Sequence, residues 1–304
     1  MREKVLITGS NGLLGQKLVN LLSDKNNFEV VGISRGENRN NTAKNYTYYS
    51  IDITNADEFT QLINKIKPHY VINCAAMTNV DACEKEKENC DLINVEAVKT
   101  MINFVKEHNS HLIHLSTDFI FDGEDGPYKE DDKPNPISYY GLSKLKSEEL
   151  IISSGIKHTI LRTILVYGVV DNMSRNNIVL WVKNAIENGQ EITIVDDQYR
   201  MPTFVDDLAE ACLLSIQQNA QGVFNISSNE LLSIYEMAVE IADAFNLDSS
   251  FIKRISTSQL NQVAKRPPRT GFDLEKSQKI LNFPVASFKN RLQVFKNQLL
   301  TSRS

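Results

Sequence analysis

Cysteine is scarce in this chain and carries no pattern. Cys74, Cys83, Cys90 and Cys212 stand at spacings that match neither a metal site nor a disulfide framework. That removes the small stapled secreted folds and points to free thiols and a cytoplasmic setting. Histidine is sparse too. His111 and His114 fall three apart on one probable strand and so face opposite sides, which disfavours a shared metal. No apolar run approaches the roughly 20 residues needed to cross a bilayer. The apolar run in the opening "MREKVLITGS" is too short for a signal peptide. No membrane partner is expected. Basic charge is in deficit: 33 Lys and Arg against 38 Asp and Glu give a net charge of −5, which argues against nucleic acid as a partner. What is present suits a globular protein, with 41% hydrophobic and 23% charged residues. Its 304 residues are enough for one large or two modest domains with a real core.

The first half alternates strand and helix. "KVLITG", "FEVVGIS", "YTYYSIDI", "YVINCAA", "HLIHLST" and "HTILRTILVYG" read as strands. "LLGQKLVNLLSD", "ADEFTQLINKIKP", "NVEAVKTMINFVKEH" and "YYGLSKLKSEEL" read as helices between them. This alternation predicts an α/β fold, a doubly wound parallel sheet of the Rossmann type. After Gly168 the alternation loosens. Residues 1–168 are therefore expected to form a nucleotide-binding domain, with 202–227 returning to it through "GVFNISS". Residues 169–201 and 228–304, rich in helical patterns, are expected to form a smaller substrate-binding domain. The segment "GEDGPYKEDD" reads as a hydrated surface loop, and no metal site is expected.

"TGSNGLLG" lies between the first strand and first helix. Gly9, Gly12 and Gly15 keep the G-x-x-G-x-x-G spacing that lets backbone approach a pyrophosphate at a helix N-terminus. The second strand ends in Ser34 and Arg35, where a preference for NAD usually shows as an acid. Arg35 suits a 2′-phosphate and so NADPH. Glu37, two residues on, pulls toward NADH, which stays open. Asp52, after the third strand, is placed to accept from an adenine amino group.

Tyr140 and Lys144 stand four apart on a helix and share a face. A lysine beside a phenol lowers its pKa and suits it to donate a proton to a carbonyl. Thr117 ends a strand at the sheet edge where ligands bind.

With these pieces in this order, the chain resembles the extended short-chain dehydrogenase/reductases, and more narrowly the dTDP-4-dehydrorhamnose reductase family. The matching stretches are "TGSNGLLG", "VINCAAMTNVDACE", "LSTDFIFDGEDGPYKEDDKPNPISYYGLSK", "LRTILVYG", "DDQYRMPTFVDDLA" and "RPPRTGFD". The resemblance implies Thr117, Tyr140 and Lys144 as catalytic residues. It implies Gly9, Asn11, Gly12, Leu13, Gly15, Asp52, Ile53, Ala75 and Ala76 as cofactor contacts, with Tyr140 and Lys144 beside the nicotinamide. It implies reduction of a 4-keto-sugar nucleotide by NADPH or NADH, giving dTDP-L-rhamnose. Asp118, Arg200, Arg266 and Arg269 are the candidates for substrate binding, since arginine suits phosphate geometry.

The chain departs from the family in three places. "LRTILVYG" lacks a tryptophan, Arg200 and Met201 replace a glycine and a small residue, and Met77 stands for tyrosine. Arg200 is similar to the regulatory beta subunit of methionine adenosyltransferase. A non-catalytic NADP-binding subunit therefore stays open, as does an epimerase on the same fold. Dehydration is disfavoured, because Asp118 is followed by Phe119 rather than a second carboxylate. A homodimer is compatible with the sequence, but no segment marks its interface.

Overall fold

The computed structural model describes residues 2–173 and 176–301. Six strands alternate with helices through the first half: β1 (Glu3–Thr8), β2 (Phe28–Ser34), β3 (Tyr46–Ser50), β4 (Tyr70–Asn73), β5 (His111–Thr117) and β6 (His158–Thr163). The helices between them are α1 (Leu13–Ser23), α2 (Ala56–Ile66), the short α3 (Val80–Lys85) and α4 (Lys87–Asp91), α5 (Ala97–His108) and α6 (Tyr139–Ser153). The second half adds β7 (Val166–Tyr167), α7 (Ile178–Glu187), β8 (Ile192–Val195), β9 (Tyr199–Arg200), β10 (Thr203–Phe204), α8 (Val205–Gln217) and β11 (Gly222–Ile226). It closes with β12 (Leu232–Ser233), α9 (Ile234–Phe245), β13 (Ile252–Ile255) and α10 (Phe288–Thr301).

One parallel sheet orders its strands β11-β6-β5-β4-β1-β2-β3. The order reverses between β1 and β4, and a crevice opens at the carboxyl ends of such strands. The sheet is apolar on both faces, as a parallel sheet must be. Val5, Ile7 and Ile72 pack on α1 and α8 through Leu18, Leu22, Leu208 and Ile216. Leu6, Val31, Val71 and Leu112 pack on α2, α5 and α6 through Phe59, Ile63, Met101 and Ile151.

A third core lies outside the sheet. Tyr167, Val182, Ile186, Phe204, Met237, Ile241, Phe288 and Phe295 join α7, α9, α10 and the parallel ribbon β8–β13. The stretch "HTILRTILVYG" is not one strand. It breaks at Ile164 and Leu165, where Leu165 takes φ 41°, and only Val166–Tyr167 continue, paired with β10. The "GVFNISS" segment lies beside β6 as the edge strand β11. The helix expected over "NVEAVKTMINFVKEH" begins in a π-helical turn, Leu92–Glu96, before α5.

Helix α6 is fixed to the sheet by charge. Its Glu148 and Arg162 of β6 are both buried and make a fork, Nε to Oε1 at 3.1 Å and Nη2 to Oε2 at 2.8 Å. Arg162 Nη1 also donates to the Glu130 carbonyl at 2.9 Å. Removing one partner of a buried pair strands the other charge. Glu148→Ala is expected to cost about 3–5 kcal/mol in denaturant unfolding, on that ground.

Candidate functional site

The turn from β1 to α1 is held by glycine. Gly9 takes φ 64°, and a Cβ there would lie 2.9 Å from Ala75 N. A Cβ on Gly15 would lie 2.2 Å from the Gly9 carbonyl oxygen. These two glycines let helix, turn and β4 touch. Gly12 is different: a Cβ there meets only the Gly9 oxygen, at 3.1 Å. It caps α1 with no side-chain hydrogen bond, and the first turn, beginning at Leu13, holds no acid. A helix N-terminus so presented suits an anion, and the cradle fits a pyrophosphate.

Asn11, expected at the cofactor, is turned inward and serves as a clamp. Its Nδ2 donates to the Glu37 carbonyl at 2.8 Å and to Tyr48 Oη at 3.0 Å. Its Oδ1 accepts from Arg39 N at 2.9 Å. The clamp fixes the loop that carries Ser34 and Arg35. The Arg35 side chain is 73% exposed, with Nη1 3.8 Å from Asp52 Oδ2. Asp52 also accepts from Thr54 N and Oγ1, at 3.0 and 2.8 Å. Ile53 is buried behind it, and Ala75 and Ala76 follow β4 at the same edge. The motif reading passed over Arg39, whose charge bears on the Tyr48 phenol.

At the end of β5, Thr117 is buried, and its hydroxyl bears on the phenol of Tyr140. Its hydroxyl donates to Asp118 Oδ1 at 3.1 Å. Ser138 caps α6, accepting from Gly141 N at 3.2 Å. A Cβ on Gly141 would clash with the Phe119 carbonyl at 2.0 Å, so this glycine brings the first turn of α6 onto the end of β5. Tyr140 then sits edge-on to Phe119, with ring centroids 5.8 Å apart.

Lys144 is buried one turn further. Its Nζ lies 3.0 Å from His114 Nε2, on β5. Burial holds the lysine down to about 8, with Glu148 opposing. The expectation of a lowered phenol pKa is corrected by these surroundings. Burial pushes Tyr140 up, Thr117 opposes, and Asp118 adds to the rise. The lysine is turned toward His114, and the protein's own groups leave the phenol a firm proton holder.

The candidate substrate residues have internal partners. Asp118 is buried, accepts from Thr270 Oγ1, and has Arg200 Nε at 3.7 Å. Burial raises its pKa and Arg200 opposes that rise. Arg200 is buried as well and donates to the Tyr199 and Pro267 carbonyls at 2.6 and 2.7 Å. Arg266 donates to both oxygens of Asp81, at 3.2 and 2.9 Å. Arg269 lies 5.3 Å over the Tyr199 ring. Carboxylates already in contact explain where Arg200 and Arg266 stand. Together they strap residues 264–270 across the carboxyl edge of the sheet.

A family model described as the RmlD substrate binding domain matches residues 3–301. The chain belongs to the dTDP-4-dehydrorhamnose reductase family. Within this family's reach, it is 30% identical over 303 residues to dTDP-4-dehydrorhamnose reductase of Aggregatibacter actinomycetemcomitans, covering 95% of this chain and 97% of that one. It is also 30% identical over 298 residues to methionine adenosyltransferase 2 subunit beta of Danio rerio, covering 96% and 89%. Among solved structures, dTDP-4-dehydrorhamnose reductase from Bacillus anthracis in complex with NADP superposes with a TM-score of 0.85 at 28% identity, covering 98% and 100%.

The glycine geometry separates two roles. Gly15→Ala is expected to lower the unfolding temperature, because its Cβ meets backbone that must shift. Gly12→Val should unfold near the wild-type temperature yet lose NADPH binding in a fluorescence titration. Wild-type affinity in Gly12→Val would show the cradle to be a turn and nothing more.

Proposed function

We infer that this chain is an NADPH-dependent reductase of a 4-keto-sugar nucleotide, acting on dTDP-4-dehydrorhamnose to give dTDP-L-rhamnose. What supports this reading is the placement of Thr117 at the carboxyl edge of β5 with Tyr140 on the first turn of α6 and Lys144 one turn behind it. Gly12, Leu13 and the α1 N-terminus hold the pyrophosphate. Asp52 and Ile53 take the adenine, Arg35 takes the 2′-phosphate, and Ala75 and Ala76 line the path toward the nicotinamide. A dihydronicotinamide held by these residues would supply hydride to the ketone carbon.

Thr117 Oγ1 and Tyr140 Oη converge on the carbonyl oxygen. Tyr140 donates its proton to that oxygen as charge develops there, and the resulting phenolate recovers a proton through Lys144. A phenol that burial keeps protonated suits a general acid, and a lysine titrating near 8 can return a proton near neutral pH. The segments 169–201 and 228–304 form the sugar side of the site. Asp118 from the sheet edge and Arg200 from the first of these segments border the reacting carbon, and Arg266 and Arg269 are offered to the substrate pyrophosphate.

A second reading is a non-catalytic NADP-binding subunit. Arg200 favours it, because the buried Arg200–Asp118 pair takes up room directly beside Thr117. The two readings separate when the protein is mixed with NADPH and dTDP-4-dehydrorhamnose and nicotinamide absorbance is followed. Loss of absorbance with formation of dTDP-rhamnose supports reduction; NADPH binding without turnover supports the second reading.

Tyr140→Phe should lower kcat by about two to four decades while NADPH affinity holds, as expected for a lost general acid. A Tyr140→Phe enzyme within a few-fold of wild type would defeat the assignment. Arg35→Ala should raise KM for NADPH over that for NADH. Because Arg35 is largely exposed, the preference should fall by about fivefold, roughly the 1 kcal/mol of a screened pair.

A further inference from the structure

A buried row of polar groups runs beneath the site. Thr8 of β1, Asn73 of β4, His114 of β5 and Ser147 and Lys144 of α6 are all buried. Their contacts have a direction. Thr8 Oγ1 accepts from Ala75 N at 3.2 Å and lies 2.6 Å from Asn73 Oδ1. That distance is short for N–H···O and ordinary for O–H···O, so the threonine hydroxyl donates to the amide oxygen. The Asn73 amide nitrogen therefore faces His114 Nδ1, at 3.1 Å, and donates to it.

A neutral imidazole that accepts at Nδ1 carries its proton on Nε2. His114 is neutral: burial, then the neighbouring Lys144, pushes it well below the ordinary histidine range. Its Nε2–H has two neighbours, Ser147 Oγ at 3.1 Å and Lys144 Nζ at 3.0 Å. The Ser147 hydroxyl donates to the Lys144 carbonyl at 2.7 Å, which leaves its oxygen to accept. An ammonium has only donors. Lys144 thus meets an N–H where a cation would want an acceptor.

We propose that His114, held as the Nε2–H tautomer by Asn73, is a positioning residue that sets the charge state of Lys144. This rests on the role given to Lys144 under the proposed function, where it returns a proton to Tyr140, and on its implied place beside the nicotinamide, where its amine would meet the ribose hydroxyls. An N–H pointed at the amine disfavours its charged form, and adds to the effect of burial. The other titratable groups facing Lys144 are Glu148 and Tyr140 on its own helix, Cys90 on α4 and Cys74 after β4. Glu148 is committed to Arg162. His114 is the group among them whose hydrogen bonding is fixed from two strands away.

The sign follows. Lys144 as ammonium donates to ribose hydroxyls, so its contribution to NADPH affinity is present below its pKa, about 8, and is lost above it. His114→Gln places an amide that can turn its oxygen to the amine, favours the charged form, and should move the break upward by about one pH unit, a tenfold change in proton affinity. A role in packing alone would weaken binding at every pH and leave the break in place.

The wild-type protein with ¹⁵N-labelled histidine is the first test. Two-bond ¹H–¹⁵N correlations should show His114 as the Nε2–H tautomer, unchanged between about pH 5 and 9. NADPH binding by fluorescence, across the same range, is compared for wild type and His114→Gln. An Nδ1–H tautomer, an imidazolium, or a break that stays near pH 8 in the variant overturns the proposal. Neither readout needs turnover. A protein that binds NADPH but reduces no 4-keto-sugar nucleotide would sink the proposed reductase, and both readouts would still decide this inference.

Discussion

The site depends on one constraint: three parallel strands must end in step where the strand order reverses. The Thr8–Asn73–His114 row does this with side chains rather than backbone. Each member is buried and each hydrogen bond is the partner of the next. An unsatisfied buried polar group costs about 1–3 kcal/mol, so the row is held together as a unit. Its upper end sets where Ala75 passes Gly9. Its lower end sets where Lys144 can place its amine. The glycine turn and helix α6 are thus registered against the same three residues.

A second set of buried charges closes the other side. Asp118 and Arg200 leave water together, and burial pulls both toward neutrality while each opposes that pull on the other. Such a pair contributes little net stability and much geometry. It holds Thr117 from one side and, through the Pro267 carbonyl, the strap from the other. The departure from the family at position 200 therefore places a buried cation beside Asp118 and ties it to the strap.

The sheet was legible in the sequence because parallel strands buried on both faces read as apolar runs, and "KVLITG", "YVINCAA" and "HLIHLST" are such runs. The glycine turn was legible because spacing and place agree. What could not be read was anything set by a partner distant in sequence. Asn11 reads from its motif as a ligand contact, and the motif does not tell of its ties to the carbonyl of Glu37 and the phenol of Tyr48. Arg266 reads as a phosphate ligand, and nothing in its motif tells of the Asp81 that stands opposite it. His114 gave no signal, since its meaning lies in Asn73 and Lys144 on neighbouring elements. The break at Leu165 was hidden because β-branched residues continue through it, and no glycine or proline marks the turn.

The strap has a consequence for how the molecule comes into being. Its ties span the chain: Asp81 to Arg266 crosses 185 positions, and Asp118 to Thr270 crosses 152. Contacts of such separation form late, because the loop entropy they close must be met before they reward folding. During synthesis, at about 5–20 residues per second, β1 to β6 leave the ribosome many seconds before the strap exists. The residues of the glycine turn are thus made well before those of the strap. Asp118 is made before the Arg200 and Thr270 that stand beside it in the finished chain.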